Sequence, residues 1–220
     1  SKLVREKERA KKQKNLTIDI LSDKLSTVSL SNKINRGAGG ANTNKNGLPY
    51  EKLTELDTEF EILSKNKFHN EIKFKIKSDR IFISSKQYKF FKYMDKYINK
   101  DIKKAHGCKK PDECYIDEEH KIIFIIEKKF QQVPGSVCEK VQTPHMKVWQ
   151  YNRTFPDWHI VYIYCLSSWF QKNCIAELEY LDEMKYQYFI GNDKDYKNKI
   201  IKYILKKQDE RIQQLEKKID

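Results

Sequence analysis

Glycine and proline are scarce, seven and five in 220 residues. That composition excludes a collagen-like or Gly/Pro-rich low-complexity chain. No apolar stretch outruns Ile160–Leu166, far below the roughly 20 residues a membrane helix needs. The first residues form a charged run, not a short basic stretch leading into an apolar one, so neither a secretory signal nor a membrane partner is expected. Cysteine is odd in number, at 108, 114, 138, 165 and 174, and Cys-x-x-Cys is absent. His106, Cys108 and Cys114 fit no common zinc spacing, so reduced thiols in a cytoplasmic, intracellular protein are expected. Several catalytic signatures are also missing. The glycine-rich stretch Asn35–Gly47 contains neither the P-loop nor the dinucleotide fingerprint. No Gly-x-Ser-x-Gly elbow appears. The histidines at 106, 120, 145 and 159 form no His-x-x-His cluster and read as surface or satisfied interior positions.

What is present is positive charge. Lys and Arg number 44 against 31 Asp and Glu, a formal net charge of +13 with pI near 9.3. An anionic partner follows, and nucleic acid is favoured because no segment sets basic residues opposite a strong apolar face. Lysine-rich, asparagine-rich usage is the rival source of the excess. The chain is 39% hydrophobic with 13 Tyr, 11 Phe and 3 Trp, enough for one packed domain.

Residues 1–14, with seven Lys/Arg, read as a basic arm or a solvated helix start, and Ile18, Leu21, Leu25 and Val28 space a helix. Asn35–Gly47 reads as a loop or linker. A helix is expected to open at Leu48–Pro49, with Leu53, Leu56, Phe60 and Leu63 as its buried stripe. Ile72, Phe74 and Ile76 alternate with lysines as a half-buried strand, followed by a strand at Ile81–Ile83. Gln87–Lys103 reads as a helix. Residues 111–117 and 121–131 read as a hairpin turning at Glu118–His120. Ser136 and Glu139 stand in capping-box relation at a helix start, with Pro144 shortening that helix. A buried strand is expected over His159–Leu166, a helix over Trp169–Met184, an edge strand over Tyr186–Ile190 and a long helix from Lys194. In that last helix Ile201, Leu205, Ile212, Leu215 and Ile219 keep a 3-4 rhythm if Gln208 fills the gap. The stripe fits packing on its own domain or against a second subunit.

The candidate chemistry lies in the hairpin. A strand points alternate side chains to one face, so Glu127, Lys129 and Gln131 share a face where the apolar run Ile122–Ile126 ends. A hairpin with 14 residues between Asp112 and Glu127 sets these two carboxylates together with a lysine one pleat away. Hard-oxygen donors suit Mg2+, which keeps waters and takes one or two carboxylates plus a substrate phosphate, and the backbone carbonyl of Lys128 could complete the set. Such an ion lowers the pKa of bound water and stabilises charge on phosphorus. A plain Glu127–lysine surface pair is the bland alternative. Glu113 adjoins Asp112 and Lys128 adjoins Lys129, and alternation lets only one of each pair face the site.

Pro111-Asp112 followed by Glu127-Lys128-Lys129 resembles the signature of the PD-(D/E)XK nuclease superfamily. Gly37–Glu51, Ile126–Gln132 and Gly135–Lys140 are most similar to segments of type II restriction endonucleases. The resemblance covers roughly residues 35–168. It implies an α/β fold, a mixed central sheet flanked by helices, to which the N- and C-terminal helices expected from the spacing above add helical extensions that the resemblance does not cover. The expected division is a basic arm and helix over 1–34, a nuclease core over 35–192 and a C-terminal helix over 193–220. It also implies Mg2+-dependent cleavage of double-stranded DNA by a homodimer, since palindromic sites are cut by symmetric pairs. Asp112 and Glu127 would be metal ligands and Lys129 the catalytic lysine, with Glu51 an acidic neighbour and Gln131 a position two past the lysine. Asn42, Thr43, Asn44 and Lys45, on the expected loop, are candidate DNA contacts. So are Ser136 and Lys140, since Glu139-Lys140 resembles a Glu-Lys pair that similar enzymes carry near the DNA. A repair, replication or homing nuclease with the same core, or a non-catalytic basic nucleic-acid-binding protein, are the alternatives.

Overall fold

The computed structural model describes residues 41–76, 78–133 and 136–218, with side chains from Gly47 onward. The arm and helix expected over 1–34 lie outside the described residues. The described chain is α/β, built on a seven-stranded mixed sheet whose spatial order follows chain order. Helix α1 (Ala41–Leu53) precedes β1 (Phe60–Lys65), β2 (Asn70–Phe74) and β3 (Ile81–Ser85). Helix α2 (Tyr88–Tyr93) runs on as a π-helical turn over Met94–Ile98. Then come β4 (Glu113–Asp117), β5 (Ile122–Lys129), α3 (Val137–Val141), α4 (Pro144–Thr154), β6 (His159–Leu166), α5 (Trp169–Asn173), α6 (Ile175–Glu183), β7 (Gln187–Ile190) and α7 (Tyr196–Glu216).

Strands β1 to β5 form antiparallel neighbours, joined by short turns except between β3 and β4, where α2 and its π-helical turn intervene. Strands β5, β6 and β7 run parallel, and the helical connections this demands are α3–α4 and α5–α6. Period-two alternation divides the core. Ile123 and Ile125 of β5 face one cluster, with Phe90, Val141, Tyr151 and Phe170 from the helices. Ile122, Phe124 and Ile126 face the other, with Tyr50 of α1 and Ile200, Ile201 and Ile204 of α7. The first half of the α7 stripe, Ile201 and partly Leu205, is thus covered by the core, whereas Ile212 and Leu215 are half-buried and belong to neither cluster, and Ile219 lies outside the described residues. Gln208 fills the gap in the stripe's rhythm, 2% exposed. Its amide donates to Asp117 Oδ2 at 2.5 Å, and its carbonyl oxygen accepts from Arg80 Nη1 at 3.0 Å. Among the described residues no helix is long and apolar enough to cross a membrane.

Several elements differ from expectation. The loop expected over Asn35–Gly47 is helical from Ala41, and Pro49 lies inside α1. Gly47 and Pro49 are poor helix formers, but Tyr50 is 1% exposed and its hydroxyl lies 3.4 Å from Cys165 Sγ on β6, so tertiary anchoring prevails over propensity. Gly191 lets α1 approach, since a Cβ there would collide with the Tyr50 hydroxyl and Thr54 Cγ2. The helix expected to run through Phe60 and Leu63 ends at Leu53; Leu56 and Phe60 are buried as expected, but Phe60–Lys65 pairs with β2 as an edge strand and leaves Leu63 exposed. The Gln87–Lys103 helix stops at Ile98, where Asn99 turns extended. The helix after Ser136 is short, Val137–Val141, and Pro144 opens the next one, α4, while Ser136 makes no side-chain cap bond. Trp169–Met184 breaks at Cys174 into α5 and α6. The thiols are not all reduced. Cys138 and Cys174 form a disulfide, while Cys108, Cys114 and Cys165 are free and buried. The sheet brings these partners together across 36 residues of sequence, which spacing alone does not reveal.

Candidate functional site

The β4–β5 hairpin pairs Glu113 with Ile126. One step further, Asp112 comes opposite Glu127, and the Lys128 amide donates to Asp112 Oδ2 at 2.8 Å. Asp112 thus closes the ladder with its side chain after its own strand has ended. Glu127 and Lys129 lie on the same sheet face, and the Lys129 ammonium donates to Glu127 Oε1 and, at 3.3 Å, to the Lys128 carbonyl. The three groups singled out in the sequence therefore meet at one end of the central strands.

The adjacent residues go to the opposite face. Lys128 Nζ lies 2.7 Å from Glu113 Oε2, both side chains almost wholly buried. The Leu56 amide (3.2 Å) and the Tyr115 hydroxyl donate to Glu113 Oε1. Glu113 and Lys128 form a structural pair, and Asp112 with Lys129 face the site.

Burial, and then the Glu127 carboxylate, push the Asp112 carboxyl above its ordinary range. Burial alone would also raise Glu127, but the Lys129 and Lys147 ammoniums outweigh it and hold that carboxyl below its usual range. Two neighbouring carboxyls thus have their proton affinities driven apart, a pattern that clusters at functional sites. Glu51 sits half-buried on α1, raised by burial and then by Asp112, and its backbone carbonyl accepts from Lys128 Nζ at 3.1 Å.

Two residues of the site were not foreseen. Lys147 of α4 reaches Glu127 Oε1 at 3.3 Å, and its ammonium lies 5.7 and 5.5 Å from the ring centroids of Tyr162 and Tyr164. The sequence held a signal for it, since Lys147 stands on the stripe between buried Pro144 and Tyr151, a costly place for a lysine without a partner. Burial lowers its proton affinity, against the upward pull of Glu127. Gln87 donates its amide to Asp112 Oδ1 at 3.3 Å, and its backbone N–H donates to the Pro111 carbonyl at 2.9 Å. It does so at φ 52°, a strained region for a side-chain-bearing residue.

Other expected residues lie apart. The Gln131 side chain does not join the carboxylates, because β5 ends at Lys129 and its amide donates to the Val133 carbonyl at 2.6 Å. Asn42, Thr43, Asn44 and Lys45 lie on the first turns of α1 rather than on a loop. Ser136, at the N-cap of α3, and Lys140, on α3, are exposed. The Lys140 carbonyl accepts from the Tyr164 hydroxyl at 3.3 Å, which ties α3 to the strand beside Glu127. His120 pairs with Asp117 at 2.8 Å at the far end of β4, while His106 and His145 are exposed.

The donors at the strand ends, Asp112, Glu127 and the Lys128 carbonyl, are all oxygens. They suit a hard cation better than a soft one. The repulsion that raises Asp112 is what a divalent cation would relieve. Among the described residues the one grouping of three sulfur, imidazole or carboxylate ligand atoms within 4.8 Å is Cys138, Cys174 and Glu177, and its sulfurs are bonded to each other. Comparison of the chain with family models, with curated proteins and with solved structures finds no match.

Proposed function

We propose that this chain is a Mg2+-dependent endonuclease of double-stranded DNA with a PD-(D/E)XK-type site. In its narrowest form it is a sequence-specific type II restriction enzyme, acting inside the cell as a homodimer. The observation that carries this reading is Asp112 opposite Glu127 across β4–β5 with Lys129 on the same face. The net charge of +13 supports a polyanionic substrate.

Asp112, Glu127 and the Lys128 carbonyl would hold the ion. When bound, Mg2+ supplies an acidified water and neutralises charge on the attacked phosphate. The chain's own groups do the rest. Lys129 keeps a fixed positive charge beside the carboxylates, where it orients an attacking water and stabilises the phosphorane-like charge. Gln87 and the Lys128 amide hold Asp112 in place from two sides. Glu51, with its proton affinity raised, offers a neighbouring carboxyl for the proton traffic. The buried Glu113–Lys128 pair fixes the strand register that keeps these groups on one face.

One observation favours a second reading. Glu127 Oε1 is already shared by two lysines, as it would be in a basic nucleic-acid-binding protein whose carboxylates only pair. Plasmid incubated with the wild type and with Asp112→Ala, each with Mg2+ and with chelator, separates the two. Discrete bands from the wild type in Mg2+, lost in the mutant and in chelator, support a restriction enzyme. A smear supports a repair, replication or homing nuclease. Binding without cutting by either protein leaves the binding protein.

A further inference from the structure

The nuclease reading uses Asp112, Glu127 and Lys129 and leaves a second ammonium in the same place unexplained. Lys147 arrives from α4, outside the hairpin, and its side chain is 18% exposed. Among the described residues its one hydrogen-bond acceptor is Glu127 Oε1, at 3.3 Å. Lys129 uses that same oxygen but has a second acceptor in the Lys128 carbonyl. The faces of Tyr162 and Tyr164 hold the Lys147 ammonium by cation–π attraction without engaging its N–H groups. It is a cation fixed in position with most of its donors unused.

Charge points the same way. Asp112, Glu127 and Glu51 against Lys129 and Lys147 leave one formal negative charge. A divalent cation turns that into one positive charge, and a single phosphodiester then brings the site to neutrality. Without Lys147 the loaded site would carry an excess negative charge where charge is costly. A cation held by Glu127 and the Lys128 carbonyl would take these oxygens from both ammoniums, and Lys147, kept in place by the two tyrosine faces, would then have no acceptor left among the described residues.

We propose that Lys147 is a phosphate-binding residue of this site, its ammonium leaving Glu127 for a non-bridging oxygen of the DNA phosphate when metal and DNA are bound. This rests on the nuclease reading. A lysine that merely neutralises Glu127 would stay where it is and make no contact with DNA.

The test uses the full chain. Lys147→Met keeps the stem and loses the charge, Lys147→Arg keeps the charge, and Lys147→Gln is run alongside in case Met repacks the tyrosines. Folding of each is checked by thermal melting. Cleavage is read on plasmid with Mg2+. DNA affinity is read with Mg2+ in a Lys129→Met background, which holds the duplex uncut, as a function of salt. Loss of one phosphate contact lowers the log–log salt slope by about 1. Loss of one donor at the transition state lowers the cutting rate by about 100-fold or more. Both losses are expected for Met and Gln, with the slope and part of the rate restored by Arg. An unchanged salt slope, or an Arg variant as impaired as Met in both readouts, overturns the proposal. If the wild type cuts nothing in Mg2+, the nuclease reading falls, and the salt slope still decides whether Lys147 touches phosphate.

Discussion

Lys128→Met removes one ammonium from the least exposed ion pair among the described residues. Glu113 is 0% exposed and its Oε2 lies 2.7 Å from Lys128 Nζ. At an effective dielectric constant of about 20, two unit charges at that separation attract by about 6 kcal/mol. Part of this is offset in the mutant, because the Leu56 amide and the Tyr115 hydroxyl still donate to the carboxylate. The expected loss is thus about 3–5 kcal/mol, the range for stranding one member of a buried pair. For a chain of this size that lowers the melting temperature by about 6–20 °C. The assay is thermal and urea unfolding followed by circular dichroism, with Glu113→Gln/Lys128→Met measured beside the single mutant. The double mutant strands no charge and should recover most of the loss. A single mutant within about 1 kcal/mol of wild type, or a double mutant no more stable than the single, would show that the pair is not the buried lock described above.

Asp112→Asn tests the crowding of the two carboxylates. A folded-state pKa raised above the unfolded value of about 3.9 stabilises the fold only at low pH, and that help is lost as pH rises through the folded value. The variant should therefore melt above wild type at about pH 7.5, with the gap narrowing on acidification and closing by about pH 4. A pH-independent gap refutes this. Cys174→Ser opens a 36-residue separation, for which chain entropy gives at most about 4 kcal/mol, so a loss of about 2–4 kcal/mol is expected. Melting of the wild type with and without reductant checks it, and identical melts would count against the bond. Gln208→Leu deprives both Asp117 and Arg80 of a buried partner and should cost about 1–3 kcal/mol in urea unfolding. A neutral or stabilising result would mean that α7 is held by its isoleucines alone.

The parts of the fold legible in the sequence are those where one pattern leaves a single solution. An unbroken apolar run ended by Glu127-Lys128-Lys129 makes β5, and the bounds of β6 coincide with the expected His159–Leu166. Asp112 and Glu127 came together because hairpin register is set locally by the Glu118–Lys121 turn. Where two periods fit equally well, the sequence misleads. Phe60 and Leu63 suit a helix by spacing, but an available strand edge at β2 takes them. The break at Cys174 and its bond to Cys138 depend on a helix from elsewhere in the chain, and Lys147 enters the site for the same reason. No local rule encodes such meetings, because each is decided by the packing of separate elements on one sheet face.

Strands stacked in the order in which they are made have a consequence for birth on the ribosome. Each new strand finds its partner already laid down before it, so the sheet grows at one edge and no strand has to insert between two others. The hairpin bearing both acids can close while α4 is still unmade. The second lysine is then delivered to a finished pair of carboxylates, as a late arrival to an anionic notch rather than as part of the nucleus that shapes it.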